Sequence, residues 1–334
     1  MIRRWLAVGI ILLFVGTCTI PAMAQDTEKP LPTSRGHWLY VGGSGPGNYT
    51  KIQDALDNSS DGDTIIVFPG FYQEHVYVKA SVTLKGIDYP IVDGNSTYSV
   101  FNLAADGVTI DGFVIQNAGD FFARPDYACA DINCTGNNVV VKNNRFLGPA
   151  KDGVWVLSDM GWLSNILIFN NTLQDTWYGV FTVVSNHVNI SNNVFSHHYT
   201  AGVELYYCTD SLVSNNLFSN ITDQGLYGIR CEWSGEVEII GNTFQNCNNG
   251  LDIEKSGTML VRKNNFLRNK VDSSFLAFFF NPLRYQSNYW GRALIHPKVI
   301  FGGMTPLVLY PLFFPWILFD WRPAQKPYNI SGMR

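Results

Sequence analysis

Five charged residues in this chain stand at fixed offsets from glycines. Glu204 lies two positions after Gly202, Arg230 and Glu232 lie two and four after Gly228, and Asp252 and Glu254 lie two and four after Gly250. The same offsets from Gly153, Gly179 and Gly202 give Trp155, Phe181 and Tyr206. Carboxylates held near a guanidinium offer acid–base chemistry, and aromatic rings offer flat apolar faces to sugar rings. Two unpaired carboxylates held close raise one pKa or attract a cation such as Ca²⁺. An arginine between them can clamp a uronate carboxylate or serve as the base of a lyase. Glu204, Arg230, Glu232, Asp252 and Glu254 are therefore the candidate catalytic set, and Trp155, Phe181 and Tyr206 the candidate ligand contacts. No metal-ligand set is assigned, and Ca²⁺ is the one cofactor the acidic residues admit.

These offsets mean something only because the chain repeats. The phrases NNRF, NNTL, NNVF, NNLF, GNTF, KNNF and SNYW end at Phe146, Leu173, Phe195, Phe218, Phe244, Phe266 and Trp290. That period of two dozen residues or so is the mark of a solenoid. Each repeat holds two strand-like stretches that alternate apolar with variable residues: one precedes the Asn pair, the other follows the glycine. No helical period runs through the repeats, and the regular Leu framework of a leucine-rich repeat is missing. The expected fold is all-β, a single-stranded right-handed parallel β-helix. Each strand then pairs with its equivalent one coil away, about 4.8 Å off.

In that register the first and third residues after each glycine point inward and the second and fourth outward. One outward column reads Trp155, Phe181, Glu204, Arg230, Asp252, and the other Leu157, Val183, Tyr206, Glu232, Glu254. Half of the face is aromatic or apolar and the adjoining half is charged. Glu204–Arg230–Asp252 also reads as an ordinary cross-strand charge ladder, worth fractions of a kcal/mol per pair. The Asn pairs themselves read as scaffold, because Asn tolerates left-handed turns and stacks into hydrogen-bonded ladders.

The net charge of −4, with no basic patch or charge run, argues against nucleic acid as a partner. Arg3 and Arg4, an apolar run and Ala22-Met23-Ala24 make residues 1–24 a secretory signal, which places the mature chain outside the cytoplasm, secreted or at the cell surface or in a periplasm. Cys129, Cys134, Cys208, Cys231 and Cys247 remain after cleavage; their odd number leaves buried thiols and disulfides both open. Residues 25–47 are a lead-in and 48–298 the β-helix. Ile52, Ala55 and Leu56 stand at helical spacing in a short helix that would cap the first coil. Residues 299–334 form an apolar cap and tail, in which Pro306, Pro311 and Pro315 oppose a membrane helix; packing on the last coil is preferred to membrane association. The long step from Gly112 to Asn144 marks an insertion, an aromatic loop over 119–129.

The segment 48–86, NYTKIQDALDNSSDGDTIIVFPGFYQEHVYVKASVTLKG, resembles the opening of secreted right-handed β-helix proteins. That group includes the NosD-like family and the pectate-lyase-like carbohydrate-binding and sugar-hydrolase domains. SNYWG at 287–291 and DWRPAQKPYNI at 320–330 resemble closing elements of the same group. The resemblance implies the fold strongly and the activity weakly, since such scaffolds host many functions. A NosD-like role would imply copper handling, for which His187, His197 and His198 are the only clustered histidines. Pectin methylesterases share the opening pattern, but the DFIFG-like segment that carries their nucleophile has no counterpart here.

The residues and the resemblance together point to a secreted β-helix module that binds a polysaccharide or cell-surface glycan along one strand face. The alternatives are a lyase or hydrolase acting on an acidic polysaccharide, and a NosD-like copper accessory or structural surface protein.

Overall fold

The computed structural model describes residues 36–119, 129–157, 161–222, 226–278, 282–305 and 314–330. The signal segment 1–24 and most of the expected loop insertion lie outside the described residues. The chain folds as an all-β, right-handed parallel solenoid of roughly 11 turns, about 2% helical.

The glycine-led strands pair in register from coil to coil. Trp155 lies opposite Phe181, Phe181 opposite Glu204, Glu204 opposite Arg230, and Arg230 opposite Asp252. The second column runs Val183, Tyr206, Glu232, Glu254. Between these columns Val154, Val180, Val203, Ile229 and Leu251 are wholly buried, as are Val156, Thr182, Leu205, Cys231 and Ile253. The inward and outward assignment made from alternation is therefore the observed one, with Glu204 the exception discussed below.

Glycine heads these strands because the coils close in there. A Cβ on Gly179 would come within 2.5 Å of the Gly202 carbonyl oxygen, and one on Gly228 within 2.5 Å of that of Gly250. Core aromatics crowd the same point: a Cβ on Gly202 would meet the Phe218 ring at 2.6 Å.

The Asn pairs divide their labour. The first member bends the chain in the left-handed region, with φ of 57° at Asn143, 53° at Asn170, 56° at Asn192 and 55° at Asn215. The second member turns inward and is buried. The Asn193 side-chain amide donates to Asn216 Oδ1 at 3.0 Å, and that of Asn216 donates to Asn242 Oδ1 at 3.0 Å. The ladder runs from Asn144 through Asn171, Asn193, Asn216, Asn242 and Asn264 to Asn288. It ends on Asp320, which accepts from the Asn288 backbone at 2.8 Å and from the Trp290 indole at 3.2 Å. Beside it the last residues of the repeat phrases stack: ring centroids of Phe218 and Phe244 lie 5.2 Å apart, of Phe244 and Phe266 4.9 Å, and of Phe266 and Trp290 4.5 Å. Each such ring taken out of water contributes about 2–3 kcal/mol.

Helix Ile52–Asp57 sits at the N-terminal end with Ile52, Ala55 and Leu56 buried. Its first amides are satisfied from another coil: the Glu74 carboxylate accepts from the backbone of Ile52 at 2.9 Å and Gln53 at 3.0 Å. At the other end Lys298–Thr305 pairs with Phe275–Phe278 and folds back antiparallel with Phe314–Asp320. The five cysteines outside the signal segment are all buried, so they serve as core packing.

Candidate functional site

The glycine-led strands Ala201–Ser214, Tyr227–Glu232 and Asn249–Ser256 bring the five charged candidates together. Arg230 is their centre. Its Nη1 lies 3.3 Å from Glu204 Oε1, and its Nη2 lies 2.8 Å from Glu232 Oε2 and 2.7 Å from Glu254 Oε2. Its Nε faces Asp252 Oδ2 at 3.9 Å. Lys255 closes the group, with Nζ 2.7 Å from Glu254 Oε1 and 3.4 Å from Glu232 Oε1. Asp252 also accepts a hydrogen bond from Ser274 Oγ at 2.5 Å.

Four carboxylates thus share two cations, and burial and hydrogen-bond partners shift their pKa values in different directions. Glu204 keeps only 5% of its side chain exposed, and its Oε2 has no hydrogen-bond partner. Burial, against the pull of Arg230 and with the push of the other carboxylates, raises its pKa to about 7. Burial also raises Asp252, although Ser274 and Arg230 pull the other way. Burial works on Glu254 in the same sense, but hydrogen bonds from Lys255 and Arg230 outweigh it and hold this carboxyl below its usual range. Burial would lower Arg230; its carboxylate partners, Glu254 foremost, bind its proton more tightly than usual instead.

This geometry changes the chemistry expected of the set. Glu232 and Glu254 are not an unpaired couple waiting for a cation, because Arg230 and Lys255 already lie between them. Among the described residues no group of three or more His, Cys, Asp or Glu is placed to hold a metal ion. Both Arg230 Nη atoms are taken up by carboxylates, whereas its buried Nε has no hydrogen-bond partner and faces Asp252 at 3.9 Å. Glu204 points into the packed cluster rather than to solvent.

The aromatic half adjoins this cluster. Trp155 meets Phe181 edge-on at 5.1 Å, and Phe181 stacks with Tyr178 at 4.9 Å. Tyr178 stands one residue before Gly179, and burial together with nearby Glu204 and Asp152 raises its phenol to about 12. The Arg230 guanidinium carbon lies 5.5 Å from the Tyr227 ring centre, carrying the aromatic surface across the charged residues. Further along the aromatic half, Asp131 and Asp152 are wholly buried. Burial pushes the Asp131 carboxyl well up, and Asp152 adds to it.

Three more residues border the site at the bend that ends these strands. Tyr207 and Trp233 stack 5.8 Å apart and within 2° of parallel, and Lys255 Nζ lies 5.5 Å from the Trp233 ring centre. Tyr206, the expected contact, packs edge-on to Tyr207 at 4.8 Å. Alternation counted to the fourth residue after each glycine falls one short of this column. Its signal was available in the sequence as Tyr207, Trp233 and Lys255 at the fifth position after Gly202, Gly228 and Gly250.

The clustered histidines separate. His197 and His187 are exposed, whereas His198 is buried, 2.9 Å from Thr176 Oγ1, and burial lowers its pKa to about 3.

The chain belongs to the right-handed β-helix family: the model described as "Right handed beta helix region" matches residues 86–271, more than half of its length. The solved structures it resembles include an alginate lyase from Paenibacillus, with TM-score 0.52 and 13% identity over 82% of this chain and 95% of that one. A family 28 exopolygalacturonase from Yersinia enterocolitica has TM-score 0.51 and 13% identity, over 76% of this chain and 65% of that one. At such identity the likeness is one of fold. A cell surface glycoprotein of Methanothermus fervidus is 30% identical over 207 residues, 61% of this chain. The match takes in 32% of that relative, so the chain spans about a third of its length.

Proposed function

We propose that this protein is an extracytoplasmic β-helix module that binds an extended glycan along the glycine-led strand face. The carrying observation is the set of rings around the charged cluster: Trp155, Phe181 and Tyr178 on one side, Tyr227 over Arg230 in the middle, and Tyr207 stacked on Trp233 at the adjoining bend. Rings offer stacking surfaces, and the intervening carboxylates offer acceptors for sugar hydroxyls. The extracytoplasmic assignment draws on the signal-like residues 1–24 and on the relative named as a cell surface glycoprotein.

The charge balance refines the ligand. A cluster of four carboxylates with two cations repels a polyuronate, so neutral or amino-bearing sugars fit this face better than acidic ones. Binding is preferred to turnover because both Nη atoms of Arg230 are engaged by carboxylates and its remaining Nε is buried, out of a substrate's reach. The enzyme reading would need Glu204, whose pKa burial raises to about 7, to act as the acid after substrate opens the packed cluster around it.

A glycan array followed by a reducing-end and unsaturated-product assay separates the two. Binding of neutral or amino glycans, weakened about tenfold by Trp155→Ala and without product formation, is the expected result. Product formation that Glu204→Gln abolishes would establish the enzyme instead, and no binding to any glycan would remove both.

A further inference from the structure

The C-terminal hairpin does more than close the solenoid. Its root is tied down: Ile300 and Asp320 are buried, the latter on the Asn ladder. Beyond the root the ribbon is exposed and apolar. Phe301 is 72% exposed, Trp316 47% and Ile317 44%. Phe301 lies opposite Ile317 and Gly302 opposite Trp316, so Phe301 and Ile317 project from one face and Trp316 from the other. A folded protein partner ordinarily covers one face of a ribbon, whereas a lipid surface surrounds both. The sequence from Val299 to Phe319 contains no Asp, Glu, Lys, Arg or His.

The charge around this ribbon is opposite to that of the chain as a whole. The net charge is −4, yet the sequence from 282 to 334 holds Arg284, Arg292, Lys298, Arg322, Lys326 and Arg334 against the single acid Asp320, which is buried; of these Lys298 is neutralised by Asp272 at 3.0 Å, while Arg284 and Arg322 are exposed. Arg284 and Arg322 both line a groove of about 450 Å³ between Leu283–Gln286 and Ile317–Arg322. Trp321, 68% exposed, stands at its mouth. Apolar and Trp side chains ringed by basic ones suit the boundary between headgroups and acyl chains of an anionic bilayer.

We propose that the hairpin docks this end of the solenoid onto an anionic lipid surface, with Phe301, Trp316 and Ile317 at the acyl boundary and Arg284 and Arg322 on lipid phosphates. Depth is limited to the interface. Among the described residues the free edge of Phe314–Asp320 pairs only at Asp320, with Tyr285, and unpaired backbone is not tolerated in the hydrocarbon core. No helix of the described residues is long and apolar enough to cross a membrane.

The test is co-sedimentation of the full chain with phosphatidylglycerol or phosphatidylcholine vesicles, with quenching of Trp emission by brominated acyl chains as an independent reading on the unmodified protein. Binding to phosphatidylglycerol, quenched by brominated chains and weakened by salt, is expected. Arg284→Ser with Arg322→Ser should weaken it about tenfold or more. Phe301→Ser with Trp316→Ser and Ile317→Ser should abolish it, with an unchanged circular dichroism spectrum. Failure of the unmodified chain to sediment overturns the proposal. So does full binding without quenching, or a concentration-dependent dimer that the triple variant abolishes, since a second copy would then cover the ribbon.

Discussion

Two bends of each coil use the same backbone conformation and fill it with different residues. At the Asn bend the left-handed positions hold Asn143, Asn170, Asn192 and Asn215, and in the last coils Gly241, Lys263 and Ser287. At the bend beside the charged cluster they hold Val184, Tyr207, Trp233 and Lys255, with φ of 48°, 54°, 53° and 49°. Inside, the two bends are alike, for each has a polar ladder. At the second bend Ser234 Oγ accepts from the Cys208 backbone at 2.9 Å, and Ser256 Oγ accepts from the Ser234 backbone at 3.2 Å. Outside they differ. Asn occupies left-handed space cheaply, while other residues with a Cβ pay about 1–2 kcal/mol there. Bulky rings kept where Asn would be more stable point to a surface shaped for something besides folding. The Asn bend is scaffold, and the aromatic bend is where a ligand is expected.

The contrast can be broken most forcefully at the Asn ladder. Asn216→Ala removes an acceptor of two bonds from Asn193 and a donor to the Ile190 carbonyl and Asn242. Orphaned buried groups of this kind should lower stability by about 3–5 kcal/mol, read from denaturant unfolding. A cost under about 1 kcal/mol would mean that the ladder is not the scaffold.

Glu204→Gln should have a smaller, pH-dependent effect. A carboxyl whose pKa is raised in the folded state binds more protons folded than unfolded, so it lowers stability as pH rises from its ordinary range through about 7. Glutamine removes that loss. The variant should match the parent near pH 4 and exceed it by about 3 kcal/mol at pH 8.5, seen as a higher melting temperature. A variant less stable at pH 8.5 would show that the ionised carboxylate on Arg230 is the stabilising form.

Trp233→Asn should move stability least. Relief of the left-handed backbone and loss of the Tyr207 stack, each about 1 kcal/mol, nearly cancel. Glycan affinity should nonetheless fall about tenfold by titration calorimetry. Loss of several kcal/mol of stability with unchanged affinity would make this bend scaffold too.

Much of this molecule was legible because a solenoid maps sequence spacing onto space. The repeat phrases located the bends, and counting from each glycine placed Glu204, Arg230 and Asp252 in one column and Glu232 and Glu254 in the next. The helix cap followed from Ile52, Ala55 and Leu56. Counting could not give side-chain direction within the face. Glu204 is outward by alternation, yet it turns into the cluster because Arg230 draws it there.

By itself the sequence determined the coils, their register and the neighbours of each residue, since a β-helix pairs position with position one coil on. Only the tertiary structure decided the state of the charges. How far Arg230 reaches, how deeply Glu204 is buried and whether Lys255 swings back to Glu232 and Glu254 depend on rotamers and desolvation. Those are set by all the neighbours together, and they gathered the candidate row into a packed cluster of four carboxylates around two cations, flanked by rings.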